Sequence, residues 1–94
     1  MPTFMLTFRP PRPDFWDTLT LEEKALVEQH FRYLLALHEQ GKVVFAGRSE
    51  DAKFGLAIVE VDSELEAQGI VDASPAVIAG MYTGDVRRYW LPGA

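Results

Sequence analysis

The stretch "KVVFAGRSEDAKFGLAIVEV", Lys42 to Val61, holds two β-branched runs on either side of a polar turn. Lys42–Gly47 and Phe54–Val61 are rich in valine, phenylalanine and isoleucine, and "RSEDAK" supplies the charged and small residues of a reversal. The pair therefore reads as antiparallel strands. In the second run Leu56 and Ile58 point to one face, while Ala57, Val59 and Val61 point to the other. Both faces are apolar, as in a strand covered on both sides.

Working towards the N-terminus, "TLEE" pairs Thr20 with Glu23 in a capping box, and Gly41 stands where a helix ends in a left-handed residue, which predicts a long helix over Thr20–Gln40. Before it, Phe4, Leu6 and Phe8 alternate with Met5 and Thr7 in a strand period that "RPPRP" ends, because proline has no backbone donor. Pro10 to Leu19 is a proline-rich loop whose Phe15 and Trp16 are apolar enough to fold back over the domain. Towards the C-terminus, Ser63 and Glu66 repeat the capping-box pattern and open a second helix through Asp72. Ser74 caps a short turn with Pro75 at its first position, and "MYTGDVRRYWL" resumes a strand.

The resulting order, βαββαβ, predicts an α+β chain of ferredoxin-like arrangement: a four-stranded antiparallel sheet with both helices on one face. No repeat, low-complexity tract or linker interrupts it, so residues 1–94 form one domain. Two helices leave the other apolar sheet face bare. The expected cover is a second copy, sheet against sheet, in a two-fold homodimer joined through the face bearing Ala57 and Val59.

Composition excludes several functions. Fourteen acidic against nine basic residues give a net charge of -5, which repels nucleic acid and anionic membranes. With no cysteine there is no disulfide, thiol nucleophile or thiolate metal site. The first residues, "MPTFMLTFRPPRPDF", lack a basic start followed by a long apolar run, so neither a signal peptide nor a membrane span is expected and the expected location is cytoplasmic.

The helix carries the residues of chemical interest. At about 100° per residue Leu26, Val27, His30, Phe31, Leu34, Leu37 and His38 share one arc, so both imidazoles are expected to face the sheet. Their backbones stand ~12 Å apart along the helix, too far to share a metal ion easily, and no metal site or cofactor is expected. His38 lies in the last turn, where a donor to free carbonyls is favoured. His30 is mid-helix, where no backbone carbonyl is free, so its ring needs a partner from elsewhere or a cavity. Such a cavity would be bounded by the helix, the "PRPDFW" loop and the "DASPAV" segment. Arg12 in the proline loop and Arg48 at the end of the second strand are candidates for holding a planar carboxylate or enolate. No glycine-rich phosphate loop, Ser-His-Asp signature or zinc helix motif is present.

Taken together and in order, "RPPRPDF", "LTLEEKALVEQHFRYLLALHEQGKVVFAGR", "FGLAIVEV" and "SPAVIAGMYTGDV" resemble the YCII-related family, small proteins of the dimeric α+β barrel type. The resemblance implies an acid–base dyad between the helix histidine, here His30, and an aspartate just before the proline of the "PAV" segment. It also implies proton-transfer and elimination chemistry on small aromatic or dicarbonyl compounds. This chain departs at that point, because the residue before Pro75 is Ser74. A serine hydroxyl orients an imidazole but holds no charge to raise its pKa. Asp72 replaces the aspartate only if the second helix has unwound by then, since two residues of helix turn a side chain by about 200°. The expectation is a homodimer, or a higher oligomer, with a small-molecule pocket in which His30 exchanges a proton and Tyr33, Ser74 or an arginine holds a substrate oxygen. The alternative is a domain that binds without catalysis, having lost the acid.

Overall fold

The computed structural model describes residues 1–90. Its elements are β1 (Thr3–Arg9), a 3-10 turn (Phe15–Asp17), α1 (Leu21–Glu39), β2 (Val43–Arg48), β3 (Gly55–Glu60), α2 (Glu64–Asp72), α3 (Pro75–Ile78) and β4 (Thr83–Arg88). The strands form one antiparallel sheet in the order β2-β3-β1-β4, with the helices on one face. This is the ferredoxin-like arrangement, in which two βαβ halves interleave and each crosses over the same side. The final strand, expected through Leu91, ends at Arg88. Tyr89 N–H still donates to Thr3 O at 2.9 Å, and Leu91 lies outside the described residues.

Local chemistry sets the helix ends. The Thr20 hydroxyl accepts from Glu23 N–H at 3.1 Å and the Glu23 carboxylate accepts from Thr20 N–H at 3.0 Å, a complete capping box. At the other end Gly41, at φ 81°, donates to His38 O, and Lys42 donates to Leu37 O, both at 3.0 Å. This is a Schellman motif, and it turns the chain directly into β2. In α2 the Ser63 hydroxyl accepts from Glu66 N–H, but the Glu66 carboxylate reaches Asp62 N–H, one residue before the cap.

Register decides which face of the sheet is the core. Phe4 pairs with Val59, Leu6 with Ala57 and Phe8 with Gly55, and these side chains lie under the helices. Ala57 and Val59, both at 0% exposure, are therefore core residues and not the bare face expected from the sequence. The open face carries Thr3, Met5 and Thr7 opposite Glu60, Ile58 and Leu56, flanked by the exposed Phe45 and Tyr89. The sequence identified two apolar faces on β3, but nothing local says which of them the helices cover.

On β4, Gly84 lies opposite Phe8, and a Cβ there would overlap Val71 Cγ1 of α2. Only glycine lets α2 come this close to the sheet. That docking fixes the end of α2 and the turn into α3.

Candidate functional site

On α1 the fully buried residues are Val27, His30 and Leu34, a narrower stripe than the expected arc. Phe31 is 41% exposed and His38 is exposed, so neither lies in the core as that arc predicted. His38 Nδ1 lies 2.7 Å from Val43 O, bridging the end of α1 to the start of β2 rather than capping the last helical carbonyls.

His30 is 3% exposed. Its ring stands edge-on to Phe8 and Tyr82, with centroids 4.6 and 5.1 Å away. Nδ1 lies 2.8 Å from the Ser74 hydroxyl oxygen, and Ser74 is wholly buried. The serine reaches it because α2 ends at Asp72 and the chain turns at once into the Pro75-led α3, which packs on α1. Ser74 is the N-cap of α3 by position, yet its hydroxyl makes no cap bond and is left for the imidazole. Burial pushes the His30 pKa from 6.5 down to about 4, so the ring is neutral at pH 7.

The other edge of the ring lines a recess. A void of about 20 Å³, room for one water-sized group, lies within an open space of about 370 Å³ reaching to solvent. Trp16 of the proline loop, Phe31 of α1, Tyr82 and the β2–β3 hairpin from Gly47 to Leu56 form its walls. Arg48 stands at this hairpin with its guanidinium 4.5 Å from the Trp16 ring centroid. Burial raises the Tyr82 hydroxyl pKa, and the Arg48 charge opposes that rise. The polar side chains on the recess are thus an imidazole, a guanidinium, a phenol and the indole of Trp16, with no carboxylate among the lining residues. The expected "DASPAV" wall is corrected by this geometry: Ser74 sits behind the ring, and the hairpin with Tyr82 closes the side assigned to that segment.

The remaining candidates lie elsewhere. Arg12 makes a two-pronged ion pair with Glu23 at 2.7 and 2.8 Å and bonds Thr18 twice, so it pins the proline loop to the start of α1 and does not line the recess. Its hydrogen bonds, with that from Thr20 N–H, hold the Glu23 carboxyl down at about 2. Tyr33 donates its hydroxyl to Ile70 O at 2.7 Å, tying α1 to α2. Asp72 is the last residue of an intact helix, exposed, and accepts from Gln68, so it does not replace the missing aspartate. Of the residues named from the sequence, the fold brings together His30, Ser74 and Arg48. It adds Tyr82 and Phe8, whose approach to His30 has no local signal because they lie on other elements. Among the described residues no three histidine, aspartate or glutamate side chains gather to hold a metal ion.

A four-stranded ferredoxin-like α+β fold with an open sheet face and a helix histidine at the head of a recess sets the class of the chain. Within it, the chain belongs to the YCII-related domain family, whose model matches residues 3–88. Its fold is similar to that of 5-chloro-2-hydroxyhydroquinone dehydrochlorinase from Burkholderia phenoliruptrix AC1100, solved in complex with 2,5-dihydroxybenzoquinone, with a TM-score of 0.67, 22% identity and 93% of each chain covered. It is also similar to Rv0793 from Mycobacterium tuberculosis, with a TM-score of 0.57, 10% identity and both chains covered in full. No curated protein sequence matches the chain.

Proposed function

We propose that this YCII-related protein binds a small aromatic or carbonyl compound in the recess beside His30 and carries out cofactor-independent proton-transfer chemistry on it, of the lyase or isomerase type. The observation that carries this reading is a buried neutral imidazole with one nitrogen held by Ser74 and its other edge on an aromatic-walled opening. The void takes a ligand oxygen, and the ring of the ligand lies outward between Trp16, Phe31 and Phe54. Arg48 suits a carboxylate, enolate or phenolate oxygen. The dihydroxylated quinone with which the dehydrochlorinase was solved supports the compound class.

A second reading, binding without turnover, is favoured by one observation: with serine at position 74, no carboxylate among the described residues lines the recess or bonds His30. Calorimetry with 2,5-dihydroxybenzoquinone and with small hydroxylated aromatic acids, followed by absorbance assays on the compounds that bind, tests both. Binding with turnover supports the first reading and binding alone the second. No binding at all, or binding that His30→Ala leaves intact, refutes the site.

The working unit is a homodimer in the cytoplasm. Met5, Leu56 and Ile58 make the centre of the open sheet face apolar, and no element of the chain covers it among the described residues. Ile58 is already buried in the single chain; a second copy laid face to face covers the half-buried Met5 and Leu56 and the exposed Phe45, and a stable interface of this kind removes at least ~1,200 Å² from solvent in total. No helix among the described residues is long and apolar enough to cross a membrane.

A further inference from the structure

The Ser74 hydroxyl is a donor with one choice. It is wholly buried, and its one hydrogen-bond partner among the described residues is His30 Nδ1. A neutral imidazole has one donor nitrogen and one acceptor nitrogen, and the fold leaves open in principle which is which. If Nδ1 carried the proton and donated to the serine oxygen, the serine proton would be buried with no acceptor, a costly arrangement. If the hydroxyl donates to Nδ1, both groups are satisfied and the ring proton stands on Nε2. An imidazolium would fail for the same reason, since both its nitrogens donate.

The proton on Nε2 meets a matching environment. No protein partner for Nε2 is found among the described residues, every buried side-chain nitrogen and oxygen has one, and His30 lines the recess; Nε2 is therefore the polar atom that the ring offers to it. The other polar side chains there are the Arg48 guanidinium, a donor with a positive charge, the Trp16 indole, a donor, and the Tyr82 hydroxyl. Among the described residues no anionic side chain lines the opening.

We infer that Ser74 is a positioning residue that fixes His30 as a hydrogen-bond donor through Nε2, so that the recess selects an anionic or carbonyl oxygen, such as a phenolate or enolate, and does not accept a proton from its ligand at that nitrogen. This rests on the reading of the recess as a ligand site. It turns the dyad of histidine and aspartate around. A carboxylate at position 74 accepts from Nδ1–H and leaves a basic lone pair on Nε2, whereas the serine gives to Nδ1 and leaves an N–H. In the proposed chemistry His30 therefore acts on the donor side, polarising or protonating a substrate oxygen, and is not the base.

The test uses the full chain labelled with nitrogen-15. Imidazole nitrogen shifts of His30 between pH 6 and 8 should show Nε2 protonated and Nδ1 bare in the wild type. Ser74→Asp should reverse the pattern, and Ser74→Ala should give a mixture of the two tautomers. 4-Nitrophenol, whose colour reports its ionisation, should bind the wild type as the phenolate and ionise at a lower pH than when free. Ser74→Asp should weaken phenolate binding at least about tenfold, through loss of the charge-assisted bond. A wild-type ring protonated on Nδ1, or an even mixture of tautomers, overturns the inference whether or not either variant folds. Bound nitrophenol that ionises at a higher pH than the free compound also overturns it. If nitrophenol and the quinone both fail to bind the wild type, the ligand reading of the recess and the selectivity inferred from it both fall, while the nitrogen shifts still judge the tautomer on their own.

Discussion

Replacing His30 by alanine should destabilise the protein, although the ring lines an open recess. A buried histidine is commonly either a packed core residue or a pocket residue, and this one is both: 3% exposed, edge-on to Phe8 and Tyr82, and facing the recess on one side. Truncation to the Cβ leaves a void of roughly 60 Å³, which at about 24 cal/mol per Å³ costs about 1.5 kcal/mol. The two aromatic edge contacts add about 1 kcal/mol together. The Ser74 hydroxyl then loses its acceptor, for about 1 kcal/mol more, at the low end of its range because the enlarged void joins the solvent-open recess and a water can enter. The expected loss is about 3 to 4 kcal/mol, read by urea unfolding at fixed protein concentration. Adding Ser74→Ala removes the orphaned hydroxyl, so the double variant should lose less than the sum of the two singles by about 1 kcal/mol. A loss under about 1 kcal/mol for the single variant, or strict additivity in the double, would refute the packing and the hydrogen bond on which the site rests.

Three further outcomes follow from the same geometry. His30 has its pKa lowered to about 4 in the fold against 6.5 when free, so between these values the unfolded chain binds a proton that the native one does not, and stability falls as pH drops from 6.5 towards 4. The loss should reach roughly 3 kcal/mol over that window, and His30→Ala should remove most of that slope in denaturation curves taken across it. Met5→Asp places a charge at a half-buried position of the open sheet face and should convert the proposed dimer to monomers in light scattering; a wild type that is already monomeric at micromolar concentration refutes the dimer. Tyr33→Phe should cost about 1 kcal/mol through the lost bond to Ile70 and leave ligand affinity at the recess unchanged, whereas a large drop in affinity would return Tyr33 to the site.

Both capping signals, the left-handed Gly41, the alternation of β1 and the hairpin are local patterns, and each names its element within a residue or two of where it lies. They suffice for the order βαββαβ, and the order suffices for the sheet because right-handed crossovers leave few other ways to lay it down. A mid-helix histidine without a local partner was equally legible as a question. Its answer was not, because every group that meets the ring comes from another element: Phe8 from β1, Tyr82 from just before β4 and Ser74 from the turn after α2. Arg12 and Tyr33 looked like ligand-binding groups because sequence gives a side chain's chemistry and not its neighbour, and the neighbours proved to be Glu23 and a backbone carbonyl. The two apolar faces of β3 were visible as alternation, a property of one strand. Which of them became the core was decided by the pairing of Val59 with Phe4 and Ala57 with Leu6 beneath the helices, a relation between strands far apart in the chain that only the folded sheet contains.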